Sequence, residues 1–292
     1  MSKGWSIADK VILVTGAARG IGAAVARGLH ERGARVALVG LEPDLLRKAA
    51  DELGSRAMWA EADVTDSAAL ERSVAAVVKR FGGIDGLFLN AGIGTFGTCA
   101  TIDPRHFERV IEVNFLGTWR ALRAALPHVI ERKGYILFNA SMAAALAVPG
   151  LAHYCASKAA VEALGDSLRI ETRHQGVSVG VAYLSWIDTD LVQAAQTDGL
   201  KQLWDRLPRA LKSKTPLPVA AAELVRAFER RAERVTVPRA LGAILPLRWA
   251  ITMLSSKTSF IGEQVERAAV DLVRKSGDAS KVPTSEPPRA GA

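Results

Sequence analysis

A serine, a tyrosine and a lysine in the middle of the chain could together perform acid/base chemistry. Tyr154 and Lys158 lie four residues apart in the segment H-Y-C-A-S-K-A, so on a helix they project from one face. A phenol titrates near ~10 and gives up its proton near neutral pH only when nearby positive charge stabilises the phenolate. Lys158 could supply that charge, and Ser141 could hold a substrate oxygen. The alternative is an ordinary pair on a helix surface, because this spacing is common.

A glycine-rich turn near the N-terminus could bind a phosphate group. Residues 11–14 are apolar and predict a buried strand that leads directly into T-G-A-A-R-G-I-G, and a helical pattern follows over 23–32. Glycines at 16, 20 and 22 allow a tight turn, a close approach of backbone to a pyrophosphate, and a helix N-terminus directed at that anion. The spacing differs from the G-x-G-x-x-G dinucleotide fingerprint, so the turn requires a second indication.

The elements that position these groups alternate along the first two thirds of the chain. Apolar strand-like runs separated by amphipathic stretches predict an α/β fold, a doubly wound parallel sheet with helices on both faces. In such sheets ligands bind beyond the carboxyl ends of the strands, where Gly16, Asp63, Asn90 and Ser141 would all lie. We expect strands near 10–15, 34–39, 57–61, 84–89, 134–140 and 177–183, and helices near 20–32, 43–53, 67–80, 103–131 and 152–174.

These motifs together resemble those of the short-chain dehydrogenase/reductase family over roughly residues 8–190. T-G-x-x-x-G-x-G resembles the cofactor turn of that family, and N-A-G at 90–92 resembles the end of its fourth strand. The residues in the order and spacing of its catalytic tetrad are Asn114, Ser141, Tyr154 and Lys158. The resemblance implies a three-layer, Rossmann-like enzyme that is NAD(P)-dependent and interconverts an alcohol and a ketone or aldehyde by hydride transfer.

The resemblance also assigns a role to each member of the tetrad. Tyr154 is expected to donate or remove the proton, and Ser141 to orient the substrate oxygen. Lys158 is expected to lower the pKa of the tyrosine and to hold the nicotinamide ribose. Asn114 is expected to support a water chain that resupplies protons; its alternative is a buried, satisfied asparagine that kinks its helix.

The cofactor-binding residues are implied by the same resemblance. Asp63 and Val64 stand where the family contacts adenine, and Thr189 should reach the nicotinamide carboxamide. For Asp63, a cap of the helix that begins near Ser67 is the alternative. The full expected set is Gly16, Arg19, Gly20, Ile21, Gly22, Leu41, Asp63, Val64, Asn90, Ala91, Gly92, Tyr154, Lys158 and Thr189.

The choice between NADP and NAD depends on residues whose signals conflict. Arg19 stands where NADPH-preferring members often carry a basic residue. Gly40 and Leu41 stand where the family usually has Asp or Arg, and Glu42 is close enough to repel a phosphate. The sequence slightly favours NADP, with a solvent-facing Arg19 as the alternative.

Composition limits the classes of protein that fit. A chain of 292 residues with 49% apolar content can bury a large core. The Lys and Arg residues that give the net charge of +8 are dispersed, and the sequence has no nucleic-acid-binding motif. Cys99 and Cys155 do not have the spacing of a metal site. No apolar run approaches the ~20 residues that cross a bilayer, and no signal peptide precedes Val11. We therefore predict a cytoplasmic enzyme without a metal or nucleic-acid partner.

The chain divides into one main domain and a C-terminal extension. We expect the catalytic and dinucleotide-binding domain at 1–240, with a mobile lid at about 186–218, a helical extension at 241–275 and a disordered tail at 276–292. Helices are predicted near 219–233, 241–256 and 259–274, and R-V-T-V-P-R could be a last strand. The apolar segment 240–254 could pack on the core, line a lipophilic pocket, or lie on a membrane surface.

Large apolar residues near the expected cleft indicate the substrate class. Phe96, Leu146 and Trp186 suggest a bulky hydrophobic alcohol or ketone that is steroid-, retinoid- or lipid-like; alternatively, Trp186 packs the lid against the core. A homodimer through helices 103–131 and 152–174 is implied by the resemblance. Two other functions stay open: a catalytically silent cofactor-binding sensor or scaffold, and a lipid-binding protein with a peripheral membrane contact through 240–256.

Overall fold

The computed structural model describes residues 5–189, 214–255 and 259–276. Within these residues, seven parallel strands form one sheet in the order β3-β2-β1-β4-β5-β6-β7. The strands are β1 (Val11–Thr15), β2 (Arg35–Gly40), β3 (Ala57–Glu61), β4 (Gly86–Leu89), β5 (Tyr135–Asn139), β6 (Ser178–Leu184) and β7 (Arg234–Val237). The helices are α1 (Gly20–Glu31), α2 (Pro43–Leu53), α3 (Ser67–Phe81), α4 (Pro104–Ile111), α5 (Thr118–Glu131), α6 (Ala152–Thr172), α7 (Leu217–Arg230), α8 (Arg248–Ser255) and α9 (Ser259–Ser276). The predicted α/β fold is confirmed.

Two hydrophobic cores cover the two faces of the sheet. Along β1, Val11 and Leu13 point into the core beneath α3, α5 and α6, whereas Ile12 and Val14 point into the core beneath α1, α2 and α7. A strand that is buried on both faces cannot alternate apolar with polar residues, which explains the continuous apolar runs in the sequence. The polar groups of the site therefore lie where the strands end.

The predicted helix at 103–131 is interrupted in the structure. Between α4 and α5, residues Glu112–Gly117 form a π-helical turn, and Asn114 lies within it. A π-turn inserts an extra residue into a helix and is frequent at functional sites. The carbonyl of Asn114 accepts a hydrogen bond from the Thr118 hydroxyl (2.7 Å), which replaces regular helical bonding at this point.

The C-terminal extension differs in part from its prediction. R-V-T-V does form the last strand, β7, but the helix predicted at 241–256 is a 3₁₀ segment, Arg239–Leu247, followed by α8. Pro246 has no N–H to donate, so a regular α-helix does not run through it. The 3₁₀ segment packs on the core beneath α3, α5 and α6 through Leu241, Ile244 and Leu245, as the first alternative for this region proposed.

The division into a main domain and an extension stays a prediction. Most of the predicted lid, 190–213, and the tail, 277–292, lie outside the described residues. Among the helices that the structure describes, none is both long and apolar enough to cross a membrane.

Candidate active site

The four residues of the predicted tetrad converge at the carboxyl ends of β4, β5 and β6. Ser141 follows β5, Tyr154 and Lys158 lie on the first turns of α6, and Asn114 lies in the π-turn packed beside α6. The Nζ atom of Lys158 is 5.7 Å from the centroid of the Tyr154 ring. The helical spacing that the sequence suggested therefore does put both side chains on one face.

Ser141 joins the end of β5 to the end of β6. Its Oγ donates to the carbonyl of Leu184 (3.2 Å) and accepts from the backbone N–H of Ala143 (3.1 Å), so the serine caps a short 3₁₀ turn. The same hydroxyl forms a hydrogen bond with the phenol of Tyr154. A serine held in this way can orient a substrate oxygen beside the phenol.

The pKa of Tyr154 does not follow the expectation from sequence. Burial raises the pKa of Tyr154 to about 12, and the hydrogen bond with Ser141 acts in the opposite direction without overcoming it. Lys158 was expected to lower the pKa of this phenol. Its ammonium instead donates to the backbone carbonyl of Asn139 (2.8 Å), so desolvation dominates at the tyrosine.

Lys158 carries its amino group into the interior. The residue is 4% exposed, and burial lowers the pKa of its ammonium to about 8. Desolvation disfavours the charged form of each group. For lysine the charged form is the protonated one, and for tyrosine it is the deprotonated one. The pair Tyr154 and Lys158 is thus two groups whose pKa values burial moves in opposite directions, an arrangement typical of acid/base sites.

Asn114 holds the loop after β4 against α6. Its Oδ1 accepts from the N–H of Ile93 (2.8 Å), and its Nδ2 donates to the carbonyl of Ile93 (3.0 Å) and to the hydroxyl of Ser157 (3.1 Å). The side chain is fully buried. These bonds are those of the structural alternative, a satisfied asparagine in a distorted helix; its role in a water chain stays a prediction.

The glycine turn between β1 and α1 is packed as a phosphate-binding turn would be. Gly16 and Gly20 have φ of +62° and +58°, in the left-handed region that favours glycine. A Cβ on Gly22 would lie 2.2 Å from the carbonyl oxygen of Gly16, so only glycine fits there. Arg19 is the N-cap of α1, Ile21 lies in the first turn, and the Arg19 side chain extends to Glu42 rather than capping the helix. The N–H groups at this helix end are therefore available to an anion.

A hydrogen-bond network ties this turn to the end of β4. Thr15 Oγ1 accepts from the backbone N–H groups of Asn90 (3.0 Å) and Ala91 (3.1 Å). The amide of Asn90 donates back to the carbonyls of Thr15 (3.0 Å) and Gly16 (3.2 Å). Thr15 was absent from the expected set, although it occupies the last position of its strand, where a polar residue after an apolar run is a signal.

Asn139 is the second residue that sequence reasoning missed. Its Nδ2 donates to Asn90 Oδ1 (2.8 Å) and its carbonyl accepts from Lys158, so it connects the cofactor turn to the tetrad. Among the described residues, its buried Oδ1 has no hydrogen-bond partner. A buried acceptor without a partner is costly, so this atom marks a place where a bound polar group would be stabilised. Its position at the end of β5 is the signal that could have identified it.

Gly92 lies between the cofactor turn and the tetrad. A Cβ at this position would be 3.2 Å from Asn114 Oδ1 and 3.5 Å from Lys158 Nζ. Glycine therefore lets the loop after β4 pack closely against both side chains. Among the described residues, the start of α1 without a side-chain cap and the unpartnered Asn139 Oδ1 both fit a dinucleotide.

Asp63 and Val64 lie at the adenine end of the expected cofactor site. Burial would raise the pKa of Asp63, but hydrogen bonds from Thr65 and the charge of Arg109 together hold it below its ordinary value. The helix α3 is capped by Asp66, whose carboxylate accepts from the N–H of Ala69, so the capping alternative for Asp63 is wrong. Val64 is buried against Gly117.

Leu41 and Thr189 are the last two residues of the expected set. Leu41 is in the turn after β2 and follows Gly40. A Cβ added to Gly40 would lie 3.7 Å from the N atoms of Ala17 and Ala18, so the end of β2 is next to the glycine turn. Thr189 Cγ2 would lie 3.9 Å from a Cβ on Gly20, so the segment after β6 reaches the turn.

Comparison with known proteins agrees with this geometry. The family model of the short chain dehydrogenases matches residues 10–199. An uncharacterized NAD-dependent oxidoreductase of Mycobacterium tuberculosis is 32% identical over 236 residues, 75% of this chain and 85% of the relative. An inactive 2-(S)-hydroxypropyl-CoM dehydrogenase of Xanthobacter autotrophicus is 38% identical over 158 residues, 54% of this chain and 69% of the relative.

Solved structures show the same fold. A short chain dehydrogenase/reductase from Burkholderia phymatum in complex with NAD has a TM-score of 0.75 and 25% identity, covering 86% of this chain and 96% of that one. An alcohol dehydrogenase from Thermococcus sibiricus, complexed with 5-hydroxy-NADP, has a TM-score of 0.69 and 28% identity. The match covers 78% of this chain and 95% of that one. The chain therefore belongs to the short-chain dehydrogenase/reductase family of NAD(P)-dependent oxidoreductases that act on CH–OH groups.

Proposed function

We propose that this protein interconverts an alcohol and a ketone or aldehyde on a bulky hydrophobic small molecule, with Tyr154 as the acid/base. The observation that supports this most is the partly buried phenol of Tyr154, hydrogen-bonded to Ser141 and with Lys158 Nζ 5.7 Å from its ring centroid. A binding module would not need a tyrosine and a lysine in this arrangement. The sensor or scaffold function is therefore the less favoured alternative.

Residues at both ends of the site would hold the dinucleotide. The N–H groups at the start of α1 and the glycines of the preceding turn bind the pyrophosphate, Asp63 and Val64 contact adenine, and Thr189 binds the carboxamide. When bound, the nicotinamide supplies or accepts the hydride. Lys158 and Tyr154 would hold the nicotinamide ribose.

The proton is handled by the tyrosine. In reduction the Oη of Tyr154 donates its proton to the carbonyl oxygen of the substrate, and in oxidation it removes the hydroxyl proton. Ser141 orients that oxygen through its hydroxyl. A pKa raised to about 12 keeps the phenol protonated at neutral pH, the state from which it donates a proton in reduction.

The lipophilic substrate is supported by the side chains at the mouth of the cleft. Phe96, in the loop after β4, is buried. It packs with Leu151, which precedes α6, and with Trp186, which follows β6. Such a rim disfavours small polar substrates because their polar groups would lose water without finding partners. Steroid-, retinoid- and lipid-like alcohols or ketones share the shape and polarity that this rim accommodates.

NADP is the cofactor that we slightly favour, on the strength of Arg19 next to the glycine turn. The ion pair of Arg19 with Glu42 reduces this preference, because a 2′-phosphate would meet a carboxylate beside the guanidinium (Nε–Oε1, 2.9 Å). The NAD complex of the Burkholderia neighbour and the 5-hydroxy-NADP complex of the Thermococcus neighbour make both dinucleotides reasonable ligands.

A homodimer in the cytoplasm is the assembly that we propose. Trp119 on α5 and Ile170 on α6 are exposed by 41% and 80%, as expected of residues that a second copy would cover. A second apolar group, Leu247, Ile251 and Met253, is exposed around the start of α8 and supports a peripheral membrane contact. Cosedimentation with anionic and neutral liposomes, with and without 240–256, would measure that contact.

The function is tested by binding and turnover together. Calorimetry with NADH and with NADPH, followed by a ketone panel monitored at the nicotinamide absorbance, should show binding and turnover by the wild type. Tyr154→Phe should still bind the dinucleotide, through Lys158 and the glycine turn, and should lose about a hundredfold or more in turnover. Tyr135→Phe is the matched control, because that buried phenol lies at the start of β5, the opposite end of the strand from Ser141, and donates to the carbonyl of Ala232.

The outcomes separate the candidate functions. Binding without turnover of any carbonyl by the wild type would favour the silent sensor. Absence of binding to both dinucleotides, or equal turnover by Tyr154→Phe and wild type, would contradict the proposal.

A further inference from the structure

The last helix of the chain packs on the rim of the candidate active site. Val265 and Ala269 of α9 are 2% and 1% exposed, and they form a small hydrophobic cluster with Phe96, against which Leu151 and Trp186 pack. The two α9 residues are four positions apart, so they lie on one face of the helix. This cluster is separate from the two cores that cover the sheet.

Each rim residue in this cluster lies close in the chain to a group of the tetrad. Leu151 is the N-cap of α6, three residues before Tyr154. Phe96 lies in the loop after β4, where a Cβ on Gly94 would be 3.8 Å from the Tyr154 ring. Trp186 is two residues beyond Leu184, whose carbonyl accepts from Ser141.

The rim is fixed by backbone hydrogen bonds, so α9 packs on a defined surface. Gly97 N–H donates to the carbonyl of Gly150 (3.0 Å), which joins the loop after β4 to the segment before α6. The carbonyl of Trp186 accepts from the N–H of Thr215 (2.8 Å), which holds the segment after β6. A helix seated across three such loops restricts what passes between them.

We propose that α9 forms the outer wall of the substrate cleft and that Val265 and Ala269 limit the size of the compound that reaches Tyr154. The inference rests on the proposed oxidoreductase function and extends it to specificity. Valine and alanine are sealed against Phe96, so Phe96 cannot move back to admit a larger apolar substrate unless this packing is loosened. Removing methyl groups from this wall should widen the cleft for larger ketones.

Hydrogen exchange measures, without any substrate, whether α9 covers the cleft loops, by which we mean residues 93–97 after β4 and residues 148–151 before α6. Ala269→Glu places a charge in the buried cluster and should release the helix. Exchange over 93–97 and 148–151 should then accelerate about tenfold or more, while exchange over 11–15 stays unchanged. Ala250→Glu, at an exposed position of α8, is the matched control and should change neither region.

Turnover measures specificity. Cyclohexanone and 4-tert-butylcyclohexanone, with NADH and with NADPH, form a pair that differs by one apolar group. Val265→Ala should raise the ratio of kcat/KM for the larger over the smaller ketone about tenfold, since methyl-sized changes in a pocket have effects of this order. The value for cyclohexanone should change less than about twofold, because the catalytic groups are untouched.

Two results would overturn the inference. One is unchanged exchange in the cleft loops of Ala269→Glu, because α9 would then not cover them. The other is an unchanged kcat/KM ratio in Val265→Ala. If the wild type reduces neither ketone with either dinucleotide, the proposed function fails for these substrates, and the exchange comparison still decides whether α9 covers the cleft.

Discussion

Arg19 and Glu42 form an ion pair, with Nε 2.9 Å from Oε1, that joins the glycine turn after β1 to the residue preceding α2. The Glu42 side chain is 21% exposed and that of Arg19 is 40% exposed, so the pair is only partly screened by water. In the sequence the two residues give opposite signals for cofactor choice. In the structure they are partners, and a 2′-phosphate would compete with Glu42 for the guanidinium.

Glu42→Gln should therefore shift the cofactor preference towards NADPH. The substitution keeps the size of the side chain and removes the negative charge, so NADPH should bind about tenfold tighter, roughly 1.4 kcal/mol, with NADH little changed. Arg19→Ala should have the opposite effect on NADPH. Calorimetry on both variants and on the double variant measures the coupling; weaker NADPH binding by Glu42→Gln would contradict the prediction.

Lys158→Met should stabilise the fold while it removes activity. Burial lowers the pKa of Lys158 from 10.5 to about 8. Holding the charged form below pH 8 thus costs about 3 kcal/mol, the pKa difference multiplied by 1.36 kcal/mol. Between pH 8 and 10.5 the unfolded chain binds more protons than the native one, so wild-type stability should rise with pH in that window.

Urea unfolding at pH 7, 8, 9 and 10 measures this difference. The difference in the free energy of unfolding between Lys158→Met and wild type should be largest below about pH 8 and should become smaller towards pH 10. Lys79→Met, on the exposed face of α3, is the matched control and should be near neutral. Equal stability of Lys158→Met and wild type at pH 7 would show that burial of this ammonium carries no net cost.

Arg248→Met should loosen the attachment of the C-terminal extension. Arg248 Nη1 lies 2.8 Å from Oε1 of Glu162 on α6, a carboxylate whose side chain is 8% exposed and which also accepts from the Tyr183 hydroxyl (2.8 Å). Removing the arginine leaves the buried carboxylate of Glu162 with one hydrogen-bond donor fewer. The free energy of unfolding should fall by about 2 kcal/mol.

The matched control for this pair is Arg239→Met. Arg239 pairs with Glu223 (2.9 Å) and its side chain is 62% exposed, so its loss should cost less than about 1 kcal/mol. The double variant Glu162→Gln with Arg248→Met should regain part of the lost stability, because the unpaired charge is gone. Equal effects of the two single arginine substitutions would argue against a special role for Glu162.

Ile170→Asp should dissociate the proposed homodimer. Ile170 on α6 is 80% exposed, and a charge in a buried apolar interface is costly. Light scattering after size exclusion should give the mass of a dimer for the wild type and of a monomer for Ile170→Asp. Leu45→Asp, at an exposed position of α2 on the other face of the sheet, should stay dimeric. A dimeric Ile170→Asp would place the interface elsewhere.

Local patterns in the sequence determined most of the framework, and the family resemblance that they carry supplied the candidate tetrad. The strand leading into the glycine turn, the polar residues after β4 and β5 and the Tyr154–Lys158 spacing depend only on neighbouring residues, because strand and helix periodicity are local properties. These predictions were therefore close to the structure. The errors at 103–131 and 241–256 arose where a π-turn and Pro246 interrupt a regular helix.

Only the tertiary structure decided how the site is completed. The link from Asn139 to both Asn90 and Lys158 joins residues up to 49 positions apart, and the cluster of Val265 and Ala269 with Phe96 joins residues 169 or more positions apart. The pKa shifts of Tyr154 and Lys158 also follow from burial by many distant side chains. Desolvation and long-range packing depend on which elements meet, and that information is not contained in the spacing of any one segment.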